Sequence, residues 1–574
     1  MPSFTTRPVI MGTHAVITTG HYLATFAGLR VLQEGGNAVD AGVTAGFCLA
    51  VLEPQLNGIG GEVPILVYSA KRGKVHAISG QGTAPRRATI DWFREQGIDL
   101  IPGDGFLPAT VPAAFDTWVT AVREFGTMPL SRVLMPAIEL AESGFPMYAK
   151  LKDTLLDQQK KFTEQWPTSA EAFLSAGVPD VGEIYRQPQW AATFRKVLEA
   201  EKTGGLDAAR DHFYKGEIAE RIAAFCRDTE VKDATGSAHS GLMDYEDLAG
   251  YHAKVEDPPT VSYRGIDVYK CGPWCQGPVF LQQLTLLEGF DLAGMGHNSA
   301  DHIHTAIEAA KLAFADREAY YGDPDFDDVP MAILLSKDYA AKRRNLIGPE
   351  ASGEFRPGDI RRLNYDPSSA KPDPTDPSDG YDHDTTHLDV IDSAGNMFSA
   401  TPSGGWLMSS PVVDGLGFPL GTRGQMFFLD PRRPNALHPG KRPRTTLTPS
   451  LATKDGKPFM ALGTPGGDMQ DQWTLQFFLN VVDFGMNLQE ALDAPTYHTS
   501  HFPSSFYPRT MYPKRLVIED RIPENVRSEL IKRGHDVVVN GPWSHGRVLG
   551  IQIRDGVIFG GASPRMETGY AAGW

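Results

Sequence analysis

The spacing of apolar residues in the first part of the chain predicts two helices and a hairpin. Apolar side chains recur at helical spacing over residues 22–34, and this run ends at a Gly-Gly pair, which is typical of a helix C-terminus. A second helix is predicted over residues 37–52, with an asparagine in the capping position. Residues 64–69 and 74–79 are alternating or rich in β-branched side chains and predict a hairpin.

The middle of the chain is predicted to be mostly helical between about residues 110 and 345. Helical spacing of apolar residues recurs over 113–125, 131–142, 191–201, 215–226 and 299–320. The composition then changes over about residues 350–384, where prolines are mixed with Asp, Ser and Gly. Such a segment cannot bury apolar surface, so we predict a mobile surface loop, with an inter-domain linker as the alternative.

The last third combines hairpins with helices. Residues 384–392 alternate like a strand, a turn follows, and residues 397–401 form the predicted return strand. Another strand is predicted over 458–462; it breaks at 463–467 and an apolar helix follows over 473–484. Strand pairs that carry helices indicate an α+β or layered α/β architecture.

Composition and net charge argue against several classes of function. The 574 residues carry 54 Lys and Arg against 70 Asp and Glu, a formal net charge of −16. Binders of nucleic acid or of anionic membranes need a positive footprint, so we expect neither partner. Four cysteines are too few for a disulfide framework, and the longest apolar stretch, residues 41–52, is too short to span a bilayer. With no signal-peptide pattern visible, a cytoplasmic location is expected.

The junction between the predicted loop and the strand offers a nucleophile. If the chain cleaves itself between Asp384 and Thr385, Thr385 carries a hydroxyl and an α-amine on one residue. An α-amine has a reference pKa of about 7.7–8.0, so part of it is neutral near pH 7 and can accept the hydroxyl proton. Taken alone, the junction favours an ordinary loop-to-strand threonine, so this hypothesis depends on the other motifs.

A glycine-rich turn offers a second element of such a site. The run Gly463-Thr-Pro-Gly-Gly467 lies between the predicted strand and helix, where backbone N–H groups at a helix start can stabilise an oxyanion. The alternative is a simple strand-to-helix turn that is capped by Asp468.

A metal site is a competing hypothesis. His383 and His387 lie four residues apart beside acidic residues, which resembles a metal-ligand pattern. On a strand, however, these side chains lie about 13 Å apart. A metallohydrolase is therefore kept only as a rival.

Three other motifs give weaker signals. Cys271 and Cys275 have C-x3-C spacing without a second pair, which favours loop cysteines over a zinc or redox site. Residues 58–62 lack the spacing of a nucleotide-binding loop. A basic run in a proline-rich loop predicts a solvated face, although one of its members could meet an anionic substrate. Its members are Arg432, Arg433, Lys441, Arg442 and Arg444.

Together these motifs resemble the γ-glutamyltransferase (γ-glutamyl transpeptidase) family of N-terminal-nucleophile hydrolases. The similarity covers nearly the whole chain and follows the order of the family's motifs. It is carried by residues 35–41, 53–54, 58–61, 287–292, 313–317, 322–326, 385–387, 392–396, 441–443 and 463–467.

The resemblance implies an α+β fold, a four-layer αββα sandwich with a largely helical portion in the large part. It also implies a precursor cut before Thr385, which gives a large segment over 1–384 and a small segment over 385–574. It requires no metal or organic cofactor. The partners it implies are a small amide substrate and the second chain of a self-cleaved protomer, and a homodimer of such protomers would fit the family.

The resemblance also assigns catalytic roles. Thr385 matches the nucleophile, and Ser403 stands where many members have a second hydroxyl residue that hydrogen-bonds it. Gly466 and Gly467 match the oxyanion-hole glycines.

The predicted substrate contacts include the departures from the family pattern. Members that use γ-glutamyl donors have an Arg at the place of Gln81, an Asn at Gly405 and an acidic residue at Phe428, and these three bind the glutamyl α-carboxylate and α-amino group. Thr445 and Thr446 replace a frequent Ser-Ser pair that touches the α-carboxylate. The complete set of predicted contacts is Gln81, Thr401, Gly405, Phe428, Thr445 and Thr446.

We therefore expect a self-processing amidase or acylase that forms an acyl-Thr385 intermediate with an acyl group other than standard γ-glutamyl. Trp406, Phe427 and Phe428 are expected to make its pocket more apolar, with core packing as the alternative. Two rivals stay open beside the metallohydrolase. One is a true γ-glutamyltransferase or glutathione hydrolase, and the other is an unprocessed, non-catalytic member that acts as a binding or scaffold protein.

Overall fold

A computed structural model describes residues 4–368 and 385–574. Its strands are β1 Ile10–Gly12, β2 Ala15–Thr19, β3 Ile65–Ser69, β4 Lys74–Ser79, β5 Phe145–Pro146, β6 Ile184–Tyr185, β7 Val231–Lys232, β8 Ala238–His239, β9 Lys254–Glu256, β10 Thr260–Tyr263, β11 Ile266–Tyr269, β12 Leu388–Asp392, β13 Met397–Ala400, β14 Ser450–Lys454, β15 Lys457–Gly463, β16 Tyr497–Thr499, β17 Arg515–Glu519, β18 Asp536–Asn540, β19 Leu549–Arg554, β20 Val557–Ala562 and β21 Tyr570–Gly573.

The helices within these residues are α1 Tyr22–Gln33, α2 Ala38–Leu52, α3 Ile90–Glu95, α4 Ala114–Phe125, α5 Leu130–Ser143, α6 Ala149–Gln165, α7 Pro167–Leu174, α8 Pro188–Tyr214, α9 Glu217–Asp228, α10 Tyr245–Ala249, α11 Pro278–Leu287, α12 Leu292–Met295, α13 Ala300–Tyr320, α14 Met331–Leu334, α15 Lys337–Arg344, α16 Gln470–Val482, α17 Leu488–Asp493 and α18 Glu524–Lys532. Short 3₁₀ helices span Arg423–Met426 and Gly467–Met469.

Two seven-stranded sheets form the centre of the molecule. The first has the order β1-β20-β19-β15-β14-β11-β10, and the second has the order β21-β2-β12-β13-β3-β4-β9. An apolar cluster that includes Leu66, Ile391, Leu451 and Ile551 draws side chains from both sheets, so the two sheets pack face to face.

Helices cover the outer face of each sheet. The helices α2, α4 and α5 share one core with β3, β12 and β13, whereas α11, α13 and α16 share another with β14 and β15. The result is the predicted four-layer αββα sandwich, with additional helices between α5 and α10. Asn37 and Asp40 form a reciprocal capping box at the start of the buried helix α2.

The predicted elements agree with the observed ones except at their ends and in one helix. The helix predicted over 191–201 continues as α8 to Tyr214, with a break where Gly204 and Gly205 leave helical backbone angles. Residues 350–368 contain no helix or strand. The remainder of the predicted mobile loop, including His383 and Asp384, lies outside the described residues. Among the described helices, none combines the length and apolar character that crossing a membrane requires.

Candidate active site

Strand pairing brings Thr385 and Ser403 together. β12 and β13 pair antiparallel with Leu388 opposite Ala400, and this register continued for three residues places Thr385 opposite Ser403. Both side chains are buried, and Thr385 Oγ1 lies 3.0 Å from Ser403 Oγ. The two predicted hydroxyl residues are therefore in hydrogen-bond contact at the end of a central hairpin.

A buried ion pair between Arg423 and Glu62 contacts the Ser403 hydroxyl. Arg423 Nη2 donates to Ser403 Oγ over 2.6 Å, and Arg423 Nε is paired with Glu62 Oε1. Backbone hydrogen bonds also join Glu62 to Ser403 in both directions, at 2.9 and 3.0 Å. Burial raises the pKa of Glu62, and the charge and hydrogen bond of Arg423 act against that rise.

Glycines allow the two loops around Glu62 to approach each other. Gly404 has φ +67°, and a Cβ there would lie 2.5 Å from both Glu62 carboxylate oxygens. Gly405 has φ +58°, and its Cβ would lie 2.7 Å from Gly61 N. The backbone of the 58–62 run thus fills the space into which a side chain at position 405 would project.

The glycine-rich turn follows β15 and precedes α16. A Cβ on Gly463 would lie 2.3 Å from the His387 ring, so this turn packs directly against the segment from Thr385 to the start of β12. Gly466 and Gly467 have φ +130° and +50°, and a Cβ on Gly466 would lie 2.3 Å from the Trp473 ring. The amides of this turn lie at a helix start, where N–H groups lack intrahelical partners.

Asp468 anchors the turn and does not cap α16. Its carboxylate is paired with Arg317 of α13 and accepts from Ser505 Oγ at 2.6 Å and Ser505 N at 2.8 Å. Burial opposes ionisation, but Arg317 and Ser505 outweigh it and the pKa of Asp468 is lowered. The capping role that the alternative gave to Asp468 is therefore wrong, because Asp468 belongs to a buried ionic network.

The remaining predicted polar contacts are buried. The Thr401 hydroxyl lies 2.9 Å from His387 Nδ1, across the same hairpin. Gln81 follows β4, and its carbonyl accepts from the Tyr251 hydroxyl. Within the described residues, Gln81 Oε1 and the Oγ1 atoms of Thr445 and Thr446 have no hydrogen-bond partner. Buried polar atoms of this kind are places where a substrate group can supply the missing partner.

Phe428 lies between cationic side chains, a feature that the expectation of a more apolar pocket did not include. The guanidinium carbons of Arg433 and Arg509 each lie 4.0 Å from its ring centroid. Trp406 and Phe427 are buried in separate apolar clusters and pack the core.

The basic run was predicted to be a solvated face, and the structure contradicts this for most of its members. Arg433, Lys441, Arg442 and Arg444 are buried, and Arg432 is exposed. Arg442 pairs with Asp323 and Lys441 with Asp327, so the run anchors its loop to the segment after α13. The four cysteines, which include Cys271 and Cys275, are all buried and unbridged.

Two histidine arrangements bear on metal binding. His387 is held by Thr401 and lies 3.1 Å from Asp389 on a buried strand. A separate cluster of His304, Glu308 and His535 has ligand atoms within 4.8 Å of one another. There the two rings bond each other at 2.9 Å, and Lys311 and Arg356 pair with the Glu308 carboxylate. The His304 cluster is therefore a network of hydrogen bonds and ion pairs. Of the two His387 ring nitrogens, only Nδ1 has a hydrogen-bond partner among the described residues. We assign no metal to either arrangement.

Sequence reasoning missed three residues of this region. Glu62 and Arg423 are separated by 361 positions, and no local pattern joins them. Arg509 lies outside any recognised motif. The only available signal was the glycine run before Glu62, whose spacing excluded a nucleotide site but did not indicate a close backbone approach.

The fold and this site define the class of N-terminal-nucleophile hydrolases. The family model for gamma-glutamyltranspeptidase matches residues 24–573. The chain belongs to the gamma-glutamyltranspeptidase family. It is accordingly a threonine-nucleophile amide hydrolase or acyltransferase of a family whose members are made as self-processed proenzymes.

The relatives and solved structures that the chain resembles include glutathione hydrolases and acylases. A glutathione hydrolase proenzyme from Pseudomonas sp. (strain A14) is 33% identical, over 86% of this chain and 82% of that protein. The solved structure of LmbA2991HD has a TM-score of 0.93 at 45% identity and covers both chains completely. The cephalosporin acylase from Bacillus halodurans has a TM-score of 0.85 at 32% identity, over 100% of this chain and 98% of that chain.

Proposed function

We propose that this protein is a self-processing acylase that cleaves an amide bond through an acyl-Thr385 intermediate. The observation that carries the proposal is the connected set of Thr385, Ser403, Arg423 and Glu62 at the end of the β12–β13 hairpin. A guanidinium can only donate, so Ser403 Oγ accepts from Arg423. The Ser403 proton is then directed to Thr385 Oγ1, which leaves the Thr385 proton for the base.

The proposed chemistry has two half-reactions. After cleavage of the 384–385 bond, the Thr385 α-amine takes the hydroxyl proton while Oγ1 attacks the amide carbonyl. The N–H groups of Gly466 and Gly467 stabilise the tetrahedral oxyanion. The leaving amine receives the proton and departs, and water or an acceptor amine then attacks the acyl ester and restores the threonine hydroxyl.

The substrate is proposed to lack the free amino-acid end of a glutamyl donor. Three observations support this proposal. Gln81 replaces an arginine and so removes a bidentate partner for a carboxylate. At position 405 the Gly61 backbone occupies the place of a side chain. Phe428 is flanked by two guanidinium groups, which repel an ammonium.

The test begins with the mass of the mature protein. We expect two bands on a denaturing gel, with the small chain beginning at Thr385, and one band for Thr385→Ala. Purified enzyme is then assayed with simple N-acyl anilides and with a γ-glutamyl anilide, and the Thr385→Ala variant is the control. We expect the N-acyl anilides to be the better substrates.

The outcomes separate the rivals. Fast, saturable γ-glutamyl release would support a glutathione hydrolase, the activity named for the Pseudomonas relative. A single full-length band from active protein, or equal rates with and without Thr385, would overturn the mechanism. Loss of activity with a chelator would favour the metallohydrolase.

A further inference from the structure

Gln276 is a completely buried residue that the proposed mechanism does not use. It lies two residues before α11 begins at Pro278. Arg317 Nη1 donates to Gln276 Oε1 over 2.8 Å, and Gln276 Nε2 donates to the Asp468 carbonyl over 3.2 Å. Because a guanidinium only donates, the oxygen of the carboxamide faces Arg317 and its nitrogen faces Asp468. Both ends of the Gln276 side chain therefore have a specific partner.

The Arg317 guanidinium is itself held in place by several contacts. It is paired with the carboxylates of Asp468 and Glu318, and its Nη2 donates to the Pro503 carbonyl over 3.2 Å. These contacts fix the donor to which Gln276 Oε1 is bound. The residue that follows Gly467 is thus held twice, because Arg317 binds the Asp468 carboxylate and Gln276 binds the Asp468 carbonyl.

The backbone of Gln276 holds a second part of the site. Gln276 N donates to the Thr445 carbonyl over 2.9 Å, and Thr445 N donates to the Trp274 carbonyl over 3.0 Å. Thr445 and Thr446 are the predicted substrate contacts whose hydroxyl oxygens have no hydrogen-bond partner among residues 4–368 and 385–574. One residue therefore joins the segment of these threonines to the glycine-rich turn.

The distance between these two segments matters for the proposed chemistry. The acyl carbonyl has to lie between Thr385 Oγ1 and the N–H groups of Gly466 and Gly467 while the rest of the acyl group contacts its own binding residues. A donor stabilises the oxyanion when it lies about 2.7–3.1 Å from it, and a displacement of about 1 Å can cost about 10²-fold in rate. A contact that sets this distance affects the chemical step more than the binding of the substrate.

We propose that Gln276 is a positioning residue that fixes the oxyanion-stabilising turn relative to the Thr445–Thr446 segment. The inference rests on the proposed acylase function and goes beyond it. Gln276 acts through the Asp468 carbonyl and is not itself a catalytic residue. Without its carboxamide, that carbonyl loses a donor and the turn with Gly466 and Gly467 can shift, so the tetrahedral oxyanion is stabilised less while the substrate is still bound.

The helix α11 supplies a matched control in Gln282. This residue is also buried, its Nε2 donates to Asp316 over 3.0 Å, and its Oε1 accepts from the Tyr321 hydroxyl over 2.6 Å. Asp316 and Tyr321 belong neither to the glycine-rich turn nor to the Thr445–Thr446 segment. Gln276→Leu and Gln282→Leu thus remove the same type of buried hydrogen bond at two places, and only the first is connected to the turn.

A second variant separates positioning from stability. Gln276→Glu keeps an acceptor for Arg317, but an ionised carboxylate has no hydrogen to donate to the Asp468 carbonyl. The Arg317 contact is therefore kept and the contact with the turn is lost. Because a charge-assisted contact with Arg317 is stronger than the neutral one, this variant is expected to fold and to be cleaved before Thr385.

The experiment measures kcat and KM for the N-acyl p-nitroanilide that the parent hydrolyses best, with rates normalised to the cleaved chain on a denaturing gel. In Gln276→Leu and Gln276→Glu we expect kcat to fall by at least about tenfold while KM stays within about threefold of the parent. Gln282→Leu is expected to keep kcat within about twofold, although its urea midpoint falls as that of Gln276→Leu does.

The possible results are distinct. A loss of kcat below about tenfold in Gln276→Glu, a change in KM alone, or an equal loss of kcat in Gln282→Leu would overturn the inference. So would a Gln276→Glu chain that stays uncut while Gln282→Leu is cut, because Gln276 would then be required for maturation. If hydrolysis depends on Thr385 but not on Gln276, the acylase proposal stands and this inference fails. If no anilide is cleaved in a Thr385-dependent way, the acylase proposal itself fails.

Discussion

Arg423 and Arg509 are both buried, but their partners differ. Arg423 has a carboxylate partner in Glu62 and donates to Ser403, so its charge is compensated within the chain. Arg509 is equally buried but holds only carbonyl oxygens. The ion pair with Glu62 fixes the position of the guanidinium that bonds Ser403, whereas Arg509 is held by backbone carbonyls and the Phe428 ring.

The largest expected effect comes from Arg423→Met. This change leaves the Glu62 carboxylate buried without its partner, so we expect the free energy of unfolding to fall by about 3–5 kcal/mol. Urea unfolding is measured in the Thr385→Ala background, which keeps the chain in one piece. Arg432→Met is the control, because its pair with Asp430 is partly exposed and is worth at most about 1 kcal/mol. A loss below about 1 kcal/mol for Arg423→Met would remove the distinction between the two arginines.

A smaller effect is expected for Arg509→Met. The variant loses two hydrogen bonds to carbonyls but also loses an uncompensated buried charge, so its stability is expected to stay within about 1 kcal/mol of the parent. Urea unfolding of this variant is measured in the same Thr385→Ala background as that of Arg423→Met. Equal destabilisation by the Arg423 and Arg509 substitutions would contradict the comparison.

The smallest expected effect is the change in folding stability with pH. Glu62 and Asp468, which are both paired with arginines, contribute to it with opposite signs. The pKa of Glu62 is raised above 4.5, mainly by burial, so its stabilising contribution is present below pH 4.5 and is lost as pH rises through the raised value. For Asp468, burial raises the pKa but Arg317 and Ser505 lower it further, to below 3.8. Its contribution is therefore present above pH 3.8 and is lost as pH falls through the lowered value.

Urea midpoints between pH 3 and pH 7 test these signs in the Thr385→Ala background. Glu62→Gln is expected to remove part of the decline toward higher pH, and Asp468→Asn part of the decline toward lower pH. Parallel pH curves for the parent and for Glu62→Gln would show that Arg423 fully compensates the burial of Glu62.

The sequence predicted local elements well because their signals are local. The 385–401 hairpin follows from strand alternation around a short turn, and its register alone brings Thr385 opposite Ser403. The helix α2 follows from its cap and its apolar run. The glycine turn at 463–467 was recognisable because a strand-to-helix junction has a characteristic composition.

The long-range pairs could not be predicted in this way. The contact between Glu62 and Arg423 depends on the packing of two loops that lie far apart in the chain. Glycine is required at positions 404 and 405 because a Cβ there would collide with the 58–62 segment, and only the folded structure shows that approach. The basic run was misread for the same reason, because a charge in a proline-rich loop is normally solvated and only the tertiary fold supplied Asp323 and Asp327 as partners.

The strand order has a consequence for the proposed cleavage before residue 385. In the second sheet, β2 lies between β21 and β12, and β13 pairs with β3, so segments from both sides of the cut alternate across the layer. Each of the two seven-stranded sheets contains strands from both the 1–384 and the 385–574 segments. An affinity tag on one terminus should therefore recover both polypeptides in equal amounts from native extracts, and separating them should require denaturant.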